Sequence, residues 1–330
     1  MNSKNTQKNK YTTPKYIFRK SKNQSIIDHV KNLSEKNKSF NMIQNKKKIS
    51  INDDVKYGEI EIELKIAKGE IGPFINMNGE DSYYHIYFNN NEEEIKRDYL
   101  TYDDNVSKIK IVIDYQVISF KKFFHNCECI ESIYFKKFTR NNITNLRYMF
   151  YGCSNLKKIE FNNFNTGNAT DMGFMFSDCS SLEKLDLSNF DTSKVTDMSY
   201  MFSNCSLLEE LNLYYFNTKS LKDMSGMFHK CSSLKKLIVF SFNTNNVINM
   251  YSSFYRCSSL EELYISNFNT NKVTDMNSMF FGCLSLKELN LSNFNVSNVN
   301  NMFCMFYGCS LELKKKIKDS NCKLAKKAFI

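Results

Sequence analysis

Residues 179–204 read CSSLEKLDLSNFDTSKVTDMSYMFSN, and the same pattern recurs along the chain with a period of 26 residues. A cysteine opens each unit, and a phenylalanine stands three positions before it. The cysteines of this row are Cys127, Cys153, Cys179, Cys205, Cys231, Cys257, Cys283 and Cys309. A fixed period of this length is typical of repeat proteins, in which each unit buries its apolar face against its neighbours. We therefore expect function on a surface shared by several units.

Each unit carries the signals of a strand followed by a turn. Leu185 and Leu187 are two residues apart, which places them on one face of a strand. Asp191 and Thr192 follow, and such side chains favour turns because they bond the local backbone. The apolar residues after the turn recur at steps of three, three and one, and this spacing predicts a short helix. They are Val195, Met198, Met201 and Phe202.

These motifs resemble known repeat families. The pattern Leu-x-x-Leu-x-Leu in residues 182–187 is similar to that of leucine-rich repeats. Met-Phe-x-x-Cys-Ser-x-Leu in residues 201–208, with Asn-Phe-Asp-Thr-x-x-Val-Thr-Asp-Met in residues 189–198, resembles the BspA-like repeats of microbial surface proteins. The resemblance covers residues 127–308, which hold seven units. It implies an α/β repeat of leucine-rich-repeat type, a solenoid with a parallel sheet on one face and short helices or turns on the other.

The same resemblance implies protein binding or adhesion and supplies no catalytic residues. The chain departs from the ordinary leucine-rich repeat at one position, where a phenylalanine replaces the asparagine that usually follows the strand. This second row is Phe138, Phe164, Phe190, Phe216, Phe242, Phe268 and Phe294.

The flanking segments differ from the repeats in composition. Residues 51–126 are predicted to form a β-rich N-terminal cap with a degenerate first unit, because Ile60, Ile62, Leu64 and Ile66 alternate with charged residues. Two further strands are predicted at 83–88 and 108–113, and residues 309–330 are predicted to form a C-terminal capping helix. Such caps shield the last apolar faces of a repeat array from water.

Positive charge is concentrated in residues 1–50, which hold 13 lysines and arginines against Asp28 and Glu35. This segment has a net charge of +11, and the remaining 280 residues have a net charge of −1. Its low apolar content predicts a disordered tail. The tail is interpreted either as a solvated leader or as a binding segment for nucleic acid, an anionic membrane or another acidic partner.

The 11 cysteines are predicted to be reduced and buried. Their number is odd, and equivalent residues of neighbouring units have parallel Cβ vectors that suit a disulfide poorly. No apolar run approaches the roughly 20 residues that span a bilayer, and no signal peptide is recognisable. We therefore expect a cytoplasmic protein without a transmembrane segment.

Catalytic and metal-binding patterns are weak. His125, Cys127 and Cys129 have the side chains of metal ligands, but a zinc site needs four converging ligands, and Cys127 belongs to the repeat row. No glycine-rich phosphate loop or nucleophile motif stands out. We therefore expect a protein that is not an enzyme and that binds neither a metal ion nor a cofactor.

One surface breaks the repeat pattern in a way that favours binding. The strand residues predicted to point outward are mostly polar, but three consecutive units carry large apolar residues there. These are Tyr214, Ile238, Phe240 and Tyr264. An exposed aromatic cluster on a polar face is typical of an interface hot spot. The sequence thus favours a protein-binding module, with a surface adhesin and an anionic binder acting through residues 1–50 as alternatives; a terminal segment covering the cluster also stays open.

Overall fold

The computed structural model describes residues 59–77, 84–114, 117–139, 142–320, 324 and 326–330. The basic segment 1–50 and Cys322 lie outside these ranges. Within the described residues the chain consists mostly of strands, isolated bridges and turns, with one α-helix and one 3-10 helix near its C-terminal end.

The first part of the chain forms a mixed sheet. The strands of this part of the chain are β1 (Ile60–Ile66), β2 (Gly72–Pro73), β3 (Tyr84–Phe88), β4 (Glu94–Ile95), β5 (Tyr99–Leu100), β6 (Lys108–Ile113), β7 (Ile130–Phe138) and β8 (Lys158–Phe161). Six of them form one sheet in the order β4-β3-β6-β1-β7-β8, and β2 pairs separately with β5. All neighbours in the larger sheet are antiparallel except β7 and β8, which are parallel. The predicted strands at 60–66 and 108–113 are confirmed, and the strand predicted at 83–88 is confirmed for 84–88, with residue 83 outside the described residues.

Strand β1 joins this cap to the first repeat unit. Its isoleucines and leucine at alternate positions are buried, as the period of two predicts. One edge of β1 pairs with β6, and the other edge pairs with β7, which is the strand of the first unit. The antiparallel part of the sheet therefore continues directly into the strands of the repeats.

In each unit the segment that follows the strand, such as residues 196–204, forms what we call the turn side of the repeats. An unbroken ladder of backbone hydrogen bonds holds the turn sides of neighbouring units together. The amides of Met198, Tyr200 and Phe202 donate to carbonyls 25 residues further on, at 3.0, 2.7 and 2.9 Å. The amides between them return to carbonyls three residues back, as in Met201 to Met198 at 3.2 Å. Parallel bridges repeat this contact in every described unit, through Ser119, Asn145, Asp171, Asp197, Asp223, Asn249, Asp275 and Asn301.

The short helix predicted for the segment from Val195 to Phe202 is wrong, because residues 199–204 form consecutive turns and residues 195–198 contain only the bridge at Asp197. Tyr200 and Asn204 have positive φ, at 53° and 58°, which an α-helix excludes. In a helix every amide would bond within its own unit. Here alternate amides bond to the next unit, and these bonds offset the roughly 1–2 kcal/mol cost of a left-handed residue. The spacing of three, three and one fits two turns as well as one helix.

The strand side of the repeats is less regular. Strand β9 (Glu210–Asn212) pairs in parallel with β10 (Lys236–Ile238), and single bridges link Lys236 to Glu262 and Glu262 to Glu288. The predicted parallel sheet is therefore present only in part.

Two rows of phenylalanines fill the core. In the first row, consecutive rings are nearly parallel, with centroids 5.4–5.8 Å apart. This row is Phe124, Phe150, Phe176, Phe202, Phe228, Phe254, Phe280 and Phe306. The second row stacks in part, for example Phe216 on Phe242 at 6.5 Å and Phe242 on Phe268 at 6.4 Å, whereas the Phe138 and Phe164 rings are tilted by 40°. Side chains of this size contribute about 1.5–3 kcal/mol each when fully buried.

The cysteine row is buried and unpaired among the described residues. Each thiol from Cys153 to Cys309 donates to a phenylalanine carbonyl 29 residues earlier, at 2.9–3.2 Å. The row thus supplies weak donors between units as well as apolar volume. Burial raises the pKa of the Cys231 thiol to about 12 and that of Cys309 to about 11.

A row of buried threonines, predicted only as part of a turn, also links the units. The Thr218 hydroxyl donates to the Asn243 carbonyl at 3.1 Å and accepts from the Asn243 amide at 2.7 Å. Equivalent contacts to the next unit are made by Thr192, Thr244 and Thr270.

The C-terminal end is closed by helix α1 (Leu311–Asp319) and the 3-10 helix Lys326–Phe329. Ser310 caps α1 by accepting from the Leu313 amide at 3.1 Å. The Phe306 amide donates to the Ala328 carbonyl at 2.8 Å, and the Phe329 ring stacks on Phe306 at 5.3 Å. Of the residues 309–330 that are predicted to form a capping helix, 311–319 are α-helical, and Leu311 at the start of this helix is 82% exposed.

The threonine row predicts a large effect of Thr218→Val. Valine keeps the shape but leaves the Asn243 amide and carbonyl without this partner, which should lower the free energy of unfolding by about 1–3 kcal/mol in urea titrations. Thr218→Ser keeps the hydroxyl and should cost less. The Thr170 hydroxyl donates to the Thr144 carbonyl at 3.3 Å but is exposed, so water can replace this bond, and Thr170→Val should change stability by less than about 0.5 kcal/mol. Equal losses in all three variants would contradict the role of the row.

The thiol row predicts a loss of stability at alkaline pH. An unfolded thiol has a pKa of about 8.5, whereas burial raises the folded-state values to about 11 and 12 at Cys309 and Cys231. Between these values the folded state binds more protons than the unfolded state, so the free energy of unfolding falls as pH rises. Below about pH 8.5 this contribution is fully present.

Urea midpoints at about pH 7.5, 8.5 and 9.5 test this expectation, with most of the fall between the last two values. Cys205→Ala/Cys231→Ala removes two of the raised thiols and should make the fall shallower. Identical pH profiles for the variant and the original chain would show that the thiols do not cause it.

Candidate functional site

The strand face has an interruption at residues 183–187. Units on either side are paired, β8 with β7 and β9 with β10. In the described part of the chain, no backbone hydrogen bond joins residues 183–187 to a neighbouring unit. Leu185, whose equivalents in the other units are buried, is therefore only partly buried. Strands β8 and β9 each have one edge without a paired strand at this place.

A cleft of about 950 Å³ lies along this interruption. Its floor is apolar, and one wall includes Leu207, which is 49% exposed. The other apolar lining residues are Ile159, Leu185, Leu211 and Ile238. The charged lining residues are Lys158, Glu160, Glu183, Lys184, Asp186, Glu209, Glu210 and Lys236. An apolar floor with a polar rim is the usual composition of a binding surface.

A second cleft of about 290 Å³ continues from the first. Lys236 and Ile238 line both clefts, and Phe240 and Tyr264 line the second. Together the two clefts extend across five consecutive units, from β8 to Tyr264.

The structure brings the four predicted residues onto one continuous surface. The Tyr214 and Phe240 rings are in contact, with centroids 5.4 Å apart and planes tilted by 50°. Ile238, Phe240 and Tyr264 meet around the second cleft. Tyr214, Phe240 and Tyr264 are half-buried.

The predicted exposure of Ile238 is wrong, since only 6% of this residue is accessible. It lies within the paired strand β10, and the larger side chains of Phe240 and Tyr264 stand around it. Ile238 is therefore part of the floor of the clefts and not an exposed anchor.

The hydroxyl of Tyr264 donates to Glu262 Oε2 at 2.7 Å. Burial, together with this hydrogen bond, raises the pKa of the Tyr264 phenol above its usual value. The phenol is therefore neutral at physiological pH and acts as a fixed donor in the wall of the second cleft.

Ion pairs link the rim residues to one another. Lys158 Nζ lies 2.6 Å from Glu160, and Lys235 Nζ lies 3.0 Å from Glu209. Such exposed pairs contribute about 0–1 kcal/mol to stability. They hold the charges in defined positions around the apolar floor.

The sequence prediction missed the larger cleft, although two signals were present. Leu207 stands where the following units have serine, at Ser233, Ser259 and Ser285. Tyr215 and Ser241 stand where other units have asparagine, and their hydroxyls are buried without a hydrogen-bond partner in the described structure. The equivalent Asn267 donates to two carbonyls, those of Phe240 and Phe242. These replacements mark the units around the clefts as different from the rest.

Membrane-spanning helices and metal clusters are both absent from the described residues. None of the described helices has the length and the apolar character needed to cross a membrane. No group of three or more histidines, cysteines or acidic residues in the described ranges is placed to hold a metal ion.

Comparison with known families gives a match to the model described as "Mycoplasma protein of unknown function, DUF285", over residues 118–240 and 237–328. The chain belongs to the DUF285 family. The DUF285 match includes all residues that line both clefts, as well as helix α1. No curated protein and no solved structure matched the chain.

Proposed function

We propose that this DUF285 chain is a non-enzymatic protein-binding module, built as a leucine-rich-repeat solenoid related to the BspA-like proteins. Its partner contacts the strand face around Tyr214, Ile238, Phe240 and Tyr264. The observation that carries the proposal is the connected pair of clefts beside the Tyr214–Phe240 ring pair. Residue motifs and the repeated contact between units 26 residues apart support the solenoid assignment.

The dimensions of the surface favour a macromolecular partner. The two clefts are open and run across several units, whereas small-molecule sites enclose most of their ligand. Aromatic residues beside an apolar floor supply the large contact area on which hot spots depend. The paired charges of the rim contribute orientation and specificity more than affinity.

Photo-crosslinking tests the proposal. A photoreactive side chain at position 212, in the larger cleft, should capture a protein partner from the native cell. The same group at position 170, on the exposed turn side, should not capture it. With the captured partner purified, Tyr214→Ser/Phe240→Ser should weaken binding by at least about thirtyfold, the effect of losing a hot spot worth 2 kcal/mol or more.

Tyr99→Ser/Tyr102→Ser is the matched control, because these tyrosines are 50% and 88% exposed and lie outside the clefts. It should leave the affinity unchanged. The thermal midpoints of both double variants must lie close to that of the original chain. Equal affinities of the folded strand-face variant and the control would refute the assignment of the surface.

The thiol row supports a reducing, cytoplasmic location, which we propose as the working compartment. Buried unpaired thiols such as Cys205 and Cys231 form hydrogen bonds to carbonyls and need no disulfide. Thiol counting on protein from its native cell, under denaturing and non-reducing conditions, should find nearly all 11 cysteines free. Three or more disulfides would instead favour the adhesin alternative on the cell surface.

A further inference from the structure

The C-terminal end of the repeat stack exposes large apolar side chains. Leu311 is 82% exposed, Leu284 is 61% exposed, and Tyr307 and Phe303 are 52% and 49% exposed. All four lie in the last described unit and a half, and Leu311 is the first residue of helix α1. Apolar groups of this size, gathered in one region, mark a contact surface.

Contacts link Tyr307 and the residues that flank the other exposed side chains. The Tyr307 ring lies 5.1 Å from the Phe281 ring, three residues before Leu284, and Lys314 Nζ lies 6.0 Å from the Tyr307 ring centroid. The Cys304 amide, next to Phe303, donates to the Lys327 carbonyl at 3.1 Å. We call the surface formed by Leu284, Phe303, Tyr307, Leu311 and the described lysines of the C-terminal segment the end surface. These lysines are Lys314, Lys315, Lys316, Lys318, Lys326 and Lys327.

The C-terminal segment that carries most of the end surface is rich in positive charge. Residues 303–330 contain seven lysines and two acidic residues, a net charge of +5, whereas residues 51–302 have a net charge of −6. Lys316 is paired with Glu312 and Glu288. In the described part of the chain, no carboxylate forms a salt bridge with Lys318, Lys326 or Lys327. Their charge is therefore available to an anionic partner.

We propose that the end surface docks on an anionic lipid membrane, with Leu284 and Leu311 entering the interface and the lysines facing the lipid headgroups. Exposed aliphatic and aromatic side chains beside lysines are the features of interfacial membrane binding. Each lysine near an anionic membrane contributes about 1 kcal/mol of attraction. This surface shares no residue with the strand-face clefts.

The same residues fit a lipid better than a single-stranded nucleic acid. Bases bind to free aromatic faces, but one face of Tyr307 is covered by Phe281 and a lysine amine lies over the ring. The most exposed apolar residues, Leu284 and Leu311, are aliphatic and offer no stacking platform. They gain free energy by leaving water for hydrocarbon.

Vesicle co-sedimentation with the full chain tests the proposal. Binding to phosphatidylcholine vesicles containing about 30 mol% phosphatidylserine should exceed binding to phosphatidylcholine alone, and should weaken as salt rises. Leu284→Gln/Leu311→Gln should weaken binding by at least about tenfold for each leucine that enters the interface. Lys318→Gln/Lys326→Gln should weaken it by about fivefold for each lysine removed.

Two control variants distinguish the end surface from other parts of the chain. Ile118→Gln/Ile248→Gln changes two isoleucines that are 58% and 45% exposed elsewhere on the turn side, and it should leave vesicle binding unchanged. Changing Lys46, Lys47 and Lys48 to glutamine tests the basic segment 1–50. Loss of binding in this variant, with full binding by both end-surface variants, would overturn the proposal.

Two further outcomes would also overturn it. If the end-surface variants lost binding to a single-stranded oligonucleotide while keeping vesicle binding, the surface would be a nucleic-acid site. If Leu284→Gln/Leu311→Gln converted a dimer into a monomer by light scattering with vesicle binding intact, the surface would contact a second copy. Thermal midpoints close to that of the original chain show that each variant is folded.

Discussion

The repeat region depends on one constraint, which is that backbone amides of the turn side donate alternately to the next unit and to their own unit. Every second amide, as in Met198, Tyr200 and Phe202, bonds to the next unit, and the amides between them bond within the unit. This pattern fixes neighbouring backbones about 5 Å apart, as in a sheet. At that spacing large rings fit only when they are nearly parallel, which is how the first phenylalanine row is arranged. The thiol and threonine rows bridge the same short distance.

Because the turn side already joins the units, the strand side is free to vary. The turn ladder is continuous from Ser119 to Asn301, whereas the strand pairing stops at residues 183–187. The unpaired backbone there lines an open cleft, where its polar groups are accessible to solvent. The units therefore stay stacked although a strand ladder is missing. Variation on this side produces the clefts without disturbing the core.

The sequence predicted the features that depend on residue identity at a fixed period. The phenylalanine and cysteine rows, the alternating strand β1 and the residues at the Tyr214–Phe240 contact all follow from spacing alone. Features that depend on backbone conformation were missed or wrong. Positive φ at Tyr200, which turns the expected helix into two turns, has no side-chain signature because tyrosine does not favour that region. The burial of Ile238 depends on its neighbours in the adjacent unit, which a single strand pattern does not contain.

The charges of the two proposed surfaces act over different distances. Around the clefts, lysines such as Lys158 and Lys235 are held by carboxylates within their own or the adjacent unit, so their fields largely cancel beyond the rim. At the end surface, Lys318, Lys326 and Lys327 form no salt bridge with a described carboxylate, and their field extends over a screening length of about 8 Å at physiological salt. Paired charges select a partner that is already in contact, whereas unpaired charges attract a partner from a distance. The clefts are therefore suited to specific recognition, and the end surface is suited to bringing the chain to an extended anionic surface.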